Sequence, residues 1–235
     1  MSNILKTMIS ACKKYNLIEN NDKVAVGLSG GKDSISMLNL LLDYKKYSDI
    51  DFELEAISVD MFNGNGDLSA LIEFCEKNKI KLHIEKTQIF DVIFNIRKEK
   101  NPCSLCAKMR NGVLHNKAKK LGCNKVALGH HADDLIETFF LSMLYENRLS
   151  IFKPSSYLDR TDITIIRPMI SLFEYQLIDY HKSNSLPLIN NPCPADKNTK
   201  RESVKKHLKQ VNTIFPNSKK SIYEAIINKD RYNLL

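Results

Sequence analysis

A glycine-rich hexapeptide constrains the fold of this chain more than any other feature. Residues 23–28 (KVAVGL) form a short apolar run typical of a buried strand, and residues 35–44 carry leucines at helical spacing. Between them lies Ser29–Ser34, with the sequence SGGKDS. Gly30 and Gly31 would let backbone N–H groups approach an anion, and the dipole of the following helix would favour negative charge. We therefore predict a strand–turn–helix unit that binds phosphate groups.

Strand-like and helix-like segments alternate along most of the sequence. We expect strands at residues 23–28, 54–59, 81–86, 124–129 and 163–167, and helices at residues 35–44, 68–77, 90–97, 104–121 and 132–145. This alternation indicates right-handed βαβ units. It predicts an α/β fold with a doubly wound parallel sheet and helices on both faces.

The pattern changes after residue 171. A helical stretch, a proline-interrupted loop over residues 186–199 and two basic helical stretches follow, and no low-complexity linker precedes them. We therefore divide the chain into an α/β domain over residues 1–185 and a small helical C-terminal extension over residues 186–235. We expect the extension to pack on the main domain.

Positive charge is concentrated in this extension. The 35 Lys and Arg residues exceed the 27 Asp and Glu residues by eight, and residues 197–220 alone carry +7, from eight basic residues and Glu202. This excess fits a polyanionic partner, although a solvated helix surface has the same composition. On a helix, residues four positions apart lie on one face. The residues expected to contact such a partner are Lys200, Arg201, Lys205, Lys206 and Lys209.

The chain lacks the sequence features of a membrane or secreted protein. Its apolar runs are too short to span a bilayer, and residues 1–14 contain no continuous apolar region with a cleavage site. We therefore expect a cytoplasmic protein without a membrane partner.

The hexapeptide differs from the two commonest phosphate-binding loops. Its glycine spacing is one residue short of a Walker A loop, Asp33 stands where that loop has Ser or Thr, and there is no G-x-G-x-x-G pattern. Lys32 would supply a mobile positive charge, and Ser29 and Ser34 would supply hydroxyls. The loop falls at the carboxyl end of a parallel strand, where open α/β sheets bind ligands.

A second polar motif, GHHADD over residues 129–134, follows the strand expected at 124–129. Asp133 and Asp134 offer the hard oxygen ligands that Mg²⁺ prefers, although carboxylates at this position also serve as helix N-caps. Asp60, at the end of another strand, is a further candidate for a nucleotide contact. A solvated strand-terminal residue is its alternative interpretation.

The six cysteines fall into two groups. Three of them lie singly among apolar residues and are expected to be buried: Cys12, Cys75 and Cys123. Cys103 and Cys106 form a C-x-x-C pair at a helix entrance, and Cys193 lies in the sequence NPCP. Three thiolates can hold a [4Fe–4S] cluster and leave one iron open. A zinc site completed by His115 and a redox-active pair fit the same spacing.

The SGGKDS loop resembles the PP-loop signature of ATP pyrophosphatases, which cleave ATP to AMP and pyrophosphate in order to adenylate a substrate oxygen. Together with CSLCAKMRNG, GHHADDLIET and a late cysteine, it makes residues 23–208 similar to the TtcA family of tRNA 2-thiocytidine synthetases. The resemblance implies an adenine nucleotide α-hydrolase-like fold, ATP and Mg²⁺ as cofactors, and tRNA as the substrate, modified at cytidine 32. It also implies a sulfur donor, either sulfide or a cysteine desulfurase relay, and a homodimer.

The resemblance assigns ATP binding to the loop Ser29–Ser34 and cluster binding to the three cysteines, and their positions at strand ends make the other residues further candidates. The residues expected to bind ATP are Ser29, Gly30, Gly31, Lys32, Asp33, Ser34, Asp60, Gly129 and His130. The residues expected to be catalytic are Lys32, Asp33, Asp133 and Asp134, of which the last two would bind Mg²⁺. The ligands of the [4Fe–4S] cluster would be Cys103, Cys106 and Cys193.

Three alternative functions share parts of this pattern. The thiouridine synthetases belong to the same superfamily, but those acting at uridine 54 carry Cys-rich zinc modules at both ends, which this sequence does not show. A tRNA lysidine synthetase has the PP-loop but needs no cluster, so it would leave the three cysteines without a joint role. A non-catalytic, zinc-stabilised RNA-binding module would leave the intact loop unused.

Overall fold

Five parallel strands and one antiparallel strand form the sheet in this computed structural model, which describes residues 1–100, 102–189, 193 and 199–228. The strands are β1 (Lys23–Gly27), β2 (Glu53–Asp60), β3 (Leu82–Lys86), β4 (Lys125–Ala127), β5 (Ser155–Leu158) and β6 (Ile163–Ile166). Their order is β3-β2-β1-β4-β6-β5, and only β5 runs antiparallel to its neighbour. The predicted α/β fold with a doubly wound sheet is confirmed, with an added antiparallel edge strand that the sequence analysis did not predict.

Eight α-helices surround this sheet in the described part of the chain. They are α1 (Asn3–Lys14), α2 (Lys32–Tyr47), α3 (Ser69–Lys77), α4 (Pro102–Lys120), α5 (Ala132–Glu146), α6 (Glu174–Ser183), α7 (Lys200–Ile214) and α8 (Ser218–Ile227). The helix expected at residues 90–97 is a π-helical segment, Asp91–Ile96. Within the described residues, no helix is both long enough and apolar enough to cross a membrane.

Alternation along the strands divides the core into two layers. Val24 and Val26 of β1 point into a cluster built with α1, α2, α3 and α6, whereas Ala25 points to the opposite face, where Leu114 and Ala118 of α4 cover the sheet. This is the period-two pattern of a strand buried on both sides. In the described part of the chain, α4 thus covers the sheet face to which Ala25 points.

The strand order reverses beside β1. The chain runs from β1 outward to β2 and β3, then returns to place β4 on the other side of β1, where Val26 pairs with Ala127. The loops after β1 and β4 therefore leave the sheet side by side. A reversal of this kind opens the crevice in which open α/β sheets bind ligands.

The C-terminal helices pack on the body of the protein through α5. Val204 and Leu208 of α7 and Tyr223 and Ile226 of α8 share one buried cluster with the apolar side of α5, which includes Ile136. The expected packing of the extension is thus observed. The division of the chain at residue 186 remains a prediction.

This packing predicts a stability difference between two positions of one helix. Leu208→Ala should lower the free energy of unfolding by about 2–5 kcal/mol, because Leu208 is buried and its truncation leaves a cavity. Val211→Ala, at a partly exposed position of α7, should change it by less than about 0.5 kcal/mol. Urea unfolding of both variants measures the difference, and equal effects would contradict the described packing.

Candidate active site

The loop after β1 forms a closed turn at the N-terminus of α2. The hydroxyl of Ser34 accepts a hydrogen bond from the Ser29 N–H at 3.2 Å and donates one to the Gly31 carbonyl at 2.9 Å. Gly31 is the N-cap of α2, and no side chain caps the first turn of that helix. The first-turn N–H groups are thus available to an anion, as the sequence predicts.

Two glycines let other segments approach this loop closely. Gly30 has a φ of +80°, and a Cβ there would lie 2.7 Å from the Cβ of Ile189, whose N–H donates to the Gly30 carbonyl at 3.0 Å. A Cβ at Gly129 would lie 3.3 Å from backbone atoms of Asp33 and Ser34. A Cβ at Gly30 would therefore collide with Ile189. A Cβ at Gly129 would require the start of α2 to shift by a few tenths of an ångström, so Gly129 favours the close approach of the loops after β1 and β4.

A pocket of about 320 Å³ opens between these two loops, the end of β2 and α4. Six of the residues predicted to act on the nucleotide line it: Ser29, Asp33, Ser34, Gly129, His130 and Asp134. Its remaining walls are apolar side chains from the strands and α4, among them Ile57, Val59 and Leu114, with Arg110 and Asn111 at one side. A concave site with apolar walls and a few converging polar groups is typical of a small-molecule site of nucleotide size.

His130 enters this pocket as an uncharged side chain. Burial lowers its pKa to about 4; the negative charge of Asp134 opposes this shift, and the charge of Arg167 adds to it. The Arg167 Nε–H group donates to His130 Nδ1 at 3.3 Å, so the neutral ring carries its hydrogen on Nε2. Arg167 itself lies over the ring of Phe152, 4.9 Å from its centre.

The two aspartates of the GHHADD motif lie in different surroundings. Asp134 borders the pocket, and its Oδ2 accepts the His131 N–H at 3.0 Å, which caps α5. Asp133 borders a separate cleft, where Glu174 N–H donates to its Oδ2 at 2.7 Å and Lys219 Nζ to its Oδ1 at 2.6 Å. The expected pairing of these carboxylates is therefore not observed, since consecutive residues on a helix point about 100° apart. Asp33 and Asp134 are the two carboxylates that share the pocket.

Lys32 lies between two carboxylates. Its Nζ is 2.8 Å from Asp33 Oδ1 and 3.2 Å from Glu174 Oε1, and the same Glu174 oxygen accepts Lys205 Nζ at 2.7 Å. Burial alone would raise the pKa of Glu174, but the hydrogen bonds and charges of the two lysines lower it to about 2. A single carboxylate thus links the loop after β1 to α7.

Asp60 is buried and holds the loop that follows β2. Its carboxylate accepts the N–H of Phe62 at 2.9 Å and the N–H of Gly64. Asp60 is therefore neither solvated nor open to the pocket. It fixes the loop that contains Met61, whose sulfur lies 3.3 Å from Cys106 Sγ.

The cysteine pair lies on α4 one turn from the pocket. Cys103 is exposed and Cys106 half-buried, and the spacing of Cys106 and Arg110 puts them on one helix face. Burial raises the pKa of the Cys106 thiol, the charge of Arg110 opposes this, and the charges of Cys193 and Cys103 add to it, so the three sulfurs interact electrostatically. Among the described residues, no three His, Cys, Asp or Glu side chains already form a group that could hold a metal ion.

The predicted cationic residues of α7 lie in three different surroundings. Arg201 is 3.1 Å from Glu137 Oε2 and 3.6 Å from Asp134 Oδ1, so carboxylates beside the pocket balance its charge. Glu174 balances the charge of Lys205 in the same way. Lys200 lies over the ring of Tyr145. The two others, Lys206 and Lys209, line the separate cleft.

Sequence reasoning missed three residues that organise this site: Glu174, Lys219 and Arg110. Lys219 lies in the basic segment that the charge count identified, and Arg110 follows Cys106 by one helical turn. Both positions therefore carried a local signal. Glu174 carried none, because its role arises from contacts with Lys32 and Lys205, which are distant in the sequence.

The fold and this site together define an α/β protein that binds an adenine nucleotide at a PP-loop. The chain matches the PP-loop domain family over residues 2–212. It is 35% identical over 221 residues to a tRNA-cytidine(32) 2-sulfurtransferase of Aliivibrio fischeri (strain MJ11), which covers 93% of this chain and 72% of the relative. A protein of the same name from Geotalea uraniireducens (strain Rf4) is 35% identical over 230 residues, 95% of this chain and 90% of the relative.

A solved structure extends the similarity to three dimensions. The U34-tRNA thiolase NcsA from Methanococcus maripaludis, determined with its [4Fe–4S] cluster, has a TM-score of 0.77 and 26% identity, and the match covers 97% of this chain and 79% of that chain. The chain belongs to the PP-loop domain family and, within it, to the family of the tRNA-cytidine(32) 2-sulfurtransferases.

The shared carboxylate predicts a pH dependence of stability. The pKa of Glu174 is about 2 in the folded protein and 4.5 ordinarily, so its ionised form stabilises the fold above about pH 5, and this contribution is lost as the pH falls towards 2. We expect Glu174→Gln to lower the free energy of unfolding by roughly 3 kcal/mol at neutral pH and by progressively less below pH 4.5. Urea unfolding across this range is the measurement. A difference between the two proteins that does not change with pH would contradict the assignment.

Proposed function

We propose that this protein is an ATP-dependent tRNA thiolase that adenylates C2 of a tRNA cytidine and replaces its oxygen with sulfur, with cytidine 32 as the position. One observation carries the proposal: the nucleotide pocket and the cysteine pair share one face of α4, so that an activated base would lie beside the thiols. The names of the relatives support the reaction, the base and the position.

The reaction follows from the chemistry of the base. The oxygen on C2 attacks the α-phosphorus of ATP, the bond to pyrophosphate breaks, and the base becomes linked to AMP through that oxygen. A sulfur nucleophile then attacks C2, and AMP leaves with the original oxygen. Adenylation is needed because a carbonyl oxygen is a poor leaving group, whereas AMP is a good one.

In this proposal the residues of the loop after β1 bind the phosphates. The first-turn N–H groups of α2 and the hydroxyl of Ser29 face the anion, and Lys32 exchanges its contact with Glu174 for the phosphate charge. His130 donates a hydrogen bond from Nε2. Gly129 lets the loop after β4 approach the start of α2, and Gly30 lets Ile189 approach the loop after β1.

The donor sets fit the two inorganic cofactors that the family implies. Asp33 and Asp134 present hard oxygen ligands to the pocket, and a Mg²⁺ ion held there would neutralise the charge of the phosphates. We propose that Asp133 acts by positioning Glu174 rather than by binding the ion, since both its oxygens are engaged in the separate cleft. Cys103, Cys106 and Cys193 offer soft sulfur ligands, and a [4Fe–4S] cluster bound to their deprotonated forms would present the donated sulfur at its open iron.

The basic side chains of α7 provide positive charge near the tRNA; they are Lys200, Arg201, Lys205, Lys206 and Lys209. Arg201 and Lys205 also hold carboxylates close to the nucleotide site. We propose that Asp60 supports the nucleotide through the loop it holds. Sulfide or a cysteine desulfurase relay donates the sulfur, and the protein acts in the cytoplasm as a homodimer.

A second candidate is thiolation of uridine 34. The solved U34-tRNA thiolase supports it, because its fold matches nearly the whole of this chain. Mass spectrometry of tRNA nucleosides from cells with and without the protein separates the two. Loss of 2-thiocytidine is the expected result, loss of 2-thiouridine would favour the second candidate, and unchanged nucleosides would refute both.

The first functional prediction concerns Lys32. Lys32→Ala should slow pyrophosphate release in the presence of tRNA by roughly 10²–10³-fold, because the loop loses its mobile charge at the transferring group. The fold should persist, since Lys205 still neutralises Glu174. Lys46→Ala, an exposed lysine in the last turn of the same helix, is the matched control. A normal rate in Lys32→Ala would show that the loop does not serve this chemistry.

The second functional prediction concerns the three cysteines. Serine at Cys103, Cys106 or Cys193 should abolish iron binding and thiolation, because a hydroxyl is a poor ligand for the soft iron–sulfur centre. Serine at the buried Cys12 or Cys123 should leave the iron content unchanged. The measurement is iron and sulfide analysis of anaerobically purified protein. Full iron content in the Cys193 variant would refute the three-ligand site, and zinc in its place would indicate a structural metal.

A further inference from the structure

A second cleft, of about 770 Å³, lies between α6, α7 and α8 on the far side of Glu174 from Lys32. Five lysines line it: Lys205, Lys206, Lys209, Lys219 and Lys220. Asp133 and Glu174 line its inner end, where Glu174 contacts Lys32 at 3.2 Å. The cleft is thus separate from the nucleotide pocket but is joined to the loop after β1 through Glu174.

The lysines of the cleft differ in what balances their charge. Lys205 and Lys219 are neutralised at the inner end by Glu174 and Asp133, at 2.7 and 2.6 Å. Lys220 is 3.9 Å from Glu224, but both side chains are largely exposed, and such pairs contribute little. The two others, Lys206 and Lys209, are exposed and have no ion-pair partner among the described residues. Glu202 also lines the cleft, one helical turn before Lys206, so the rim has a net positive charge that is open to a ligand.

An aromatic side chain lies in the same cleft. Tyr175, in the first turn of α6, lines the cleft and is 64% exposed. Its ring is close to parallel with that of Phe173, at 21° and 6.2 Å, and Phe173 is held in turn by the edge of Tyr223. The ring of Tyr175 is thus packed beside Phe173 and is largely exposed to solvent.

We infer that this cleft binds a single-stranded segment of the RNA substrate, with one base stacked on Tyr175 and phosphates on Lys206, Lys209 and Lys220. Exposed aromatic faces combined with a positive groove are the features by which proteins hold unpaired nucleic acid. The inference rests on the proposed function, and it adds to that function the strand type and the residues of contact. Because the cleft ends at Asp133 and Glu174, a loop bound there would present its neighbouring nucleotides to the pocket.

The charge of the cleft favours RNA over other occupants. An acidic protein segment would also be attracted to the lysines, but it would have no planar base to stack on the ring of Tyr175. A second copy of this chain carries the same +8 and would bring like charges together. Both alternatives become outcomes of the test below.

The test compares variants in a binding assay with tRNA. We expect Tyr175→Ala to weaken the binding of a tRNA transcript, measured by fluorescence anisotropy, by roughly 5- to 100-fold, and Tyr175→Phe to restore it, since stacking needs only the ring. Lys206→Ala combined with Lys209→Ala should reduce the salt slope of binding by about 1.4, as expected for two contacts to single-stranded phosphates. The matched control is Lys6→Ala with Lys13→Ala, two exposed lysines of α1.

A second measurement locates the contact directly. A tRNA containing 4-thiouridine in its anticodon loop should, on irradiation, cross-link to the peptide that contains Tyr175. Cross-links confined to other peptides, or wild-type affinity and salt slope in both cleft variants, would overturn the inference but leave the proposed thiolation reaction intact. Failure of the unaltered protein to bind tRNA at all would refute the proposed function itself. A change in oligomeric state in the cleft variants, without a change in tRNA affinity, would assign the cleft to a second copy instead.

Discussion

The close approach of the loops after β1 and β4 is the constraint on which the rest of the site depends. A Cβ at Gly129 would lie 3.3 Å from the backbone of Asp33 and Ser34, so glycine at this position lets the loops approach without displacing that backbone. This contact exists because β1 and β4 are neighbours at the reversal of the strand order. The pocket, the N-terminus of α2 and the N-terminus of α5 all take their positions from it, and the position of α4 across the same edge then brings the cysteines to the pocket.

Charge pairs join the C-terminal helices to this centre. Glu174 accepts lysines from α2 and α7, and Asp133 accepts the Glu174 N–H together with a lysine from α8. A buried carboxylate destabilises the fold unless it is paired, so removing one partner would leave an uncompensated buried charge. The network therefore ties α7 and α8 to the loop after β1, and a ligand that competes for these lysines would change the contacts of Lys32.

The sequence allowed much of this arrangement to be predicted, and the misses have physical reasons. The parallel strands and both loops follow from local pattern, because apolar periodicity and glycine spacing are properties of contiguous residues. The edge strand β5 was missed because SSYL is short and polar, and α1 was missed although Ile4, Leu5 and Met8 give it an apolar face. The separation of Asp133 from Asp134 and the role of Glu174 depend on how distant segments pack, and no single stretch of sequence contains that information.

In the proposed reaction, ATP converts the C2 oxygen of a tRNA base into a leaving group. The most direct test is a single-turnover reaction with tRNA whose target cytidine carries a heavy oxygen isotope on C2, followed by mass spectrometry of the AMP released. The AMP should acquire the label in the same amount as thiolated base is formed. Unlabelled AMP formed together with thiolated base would contradict this reaction, because the oxygen would then have left without ever being joined to the nucleotide.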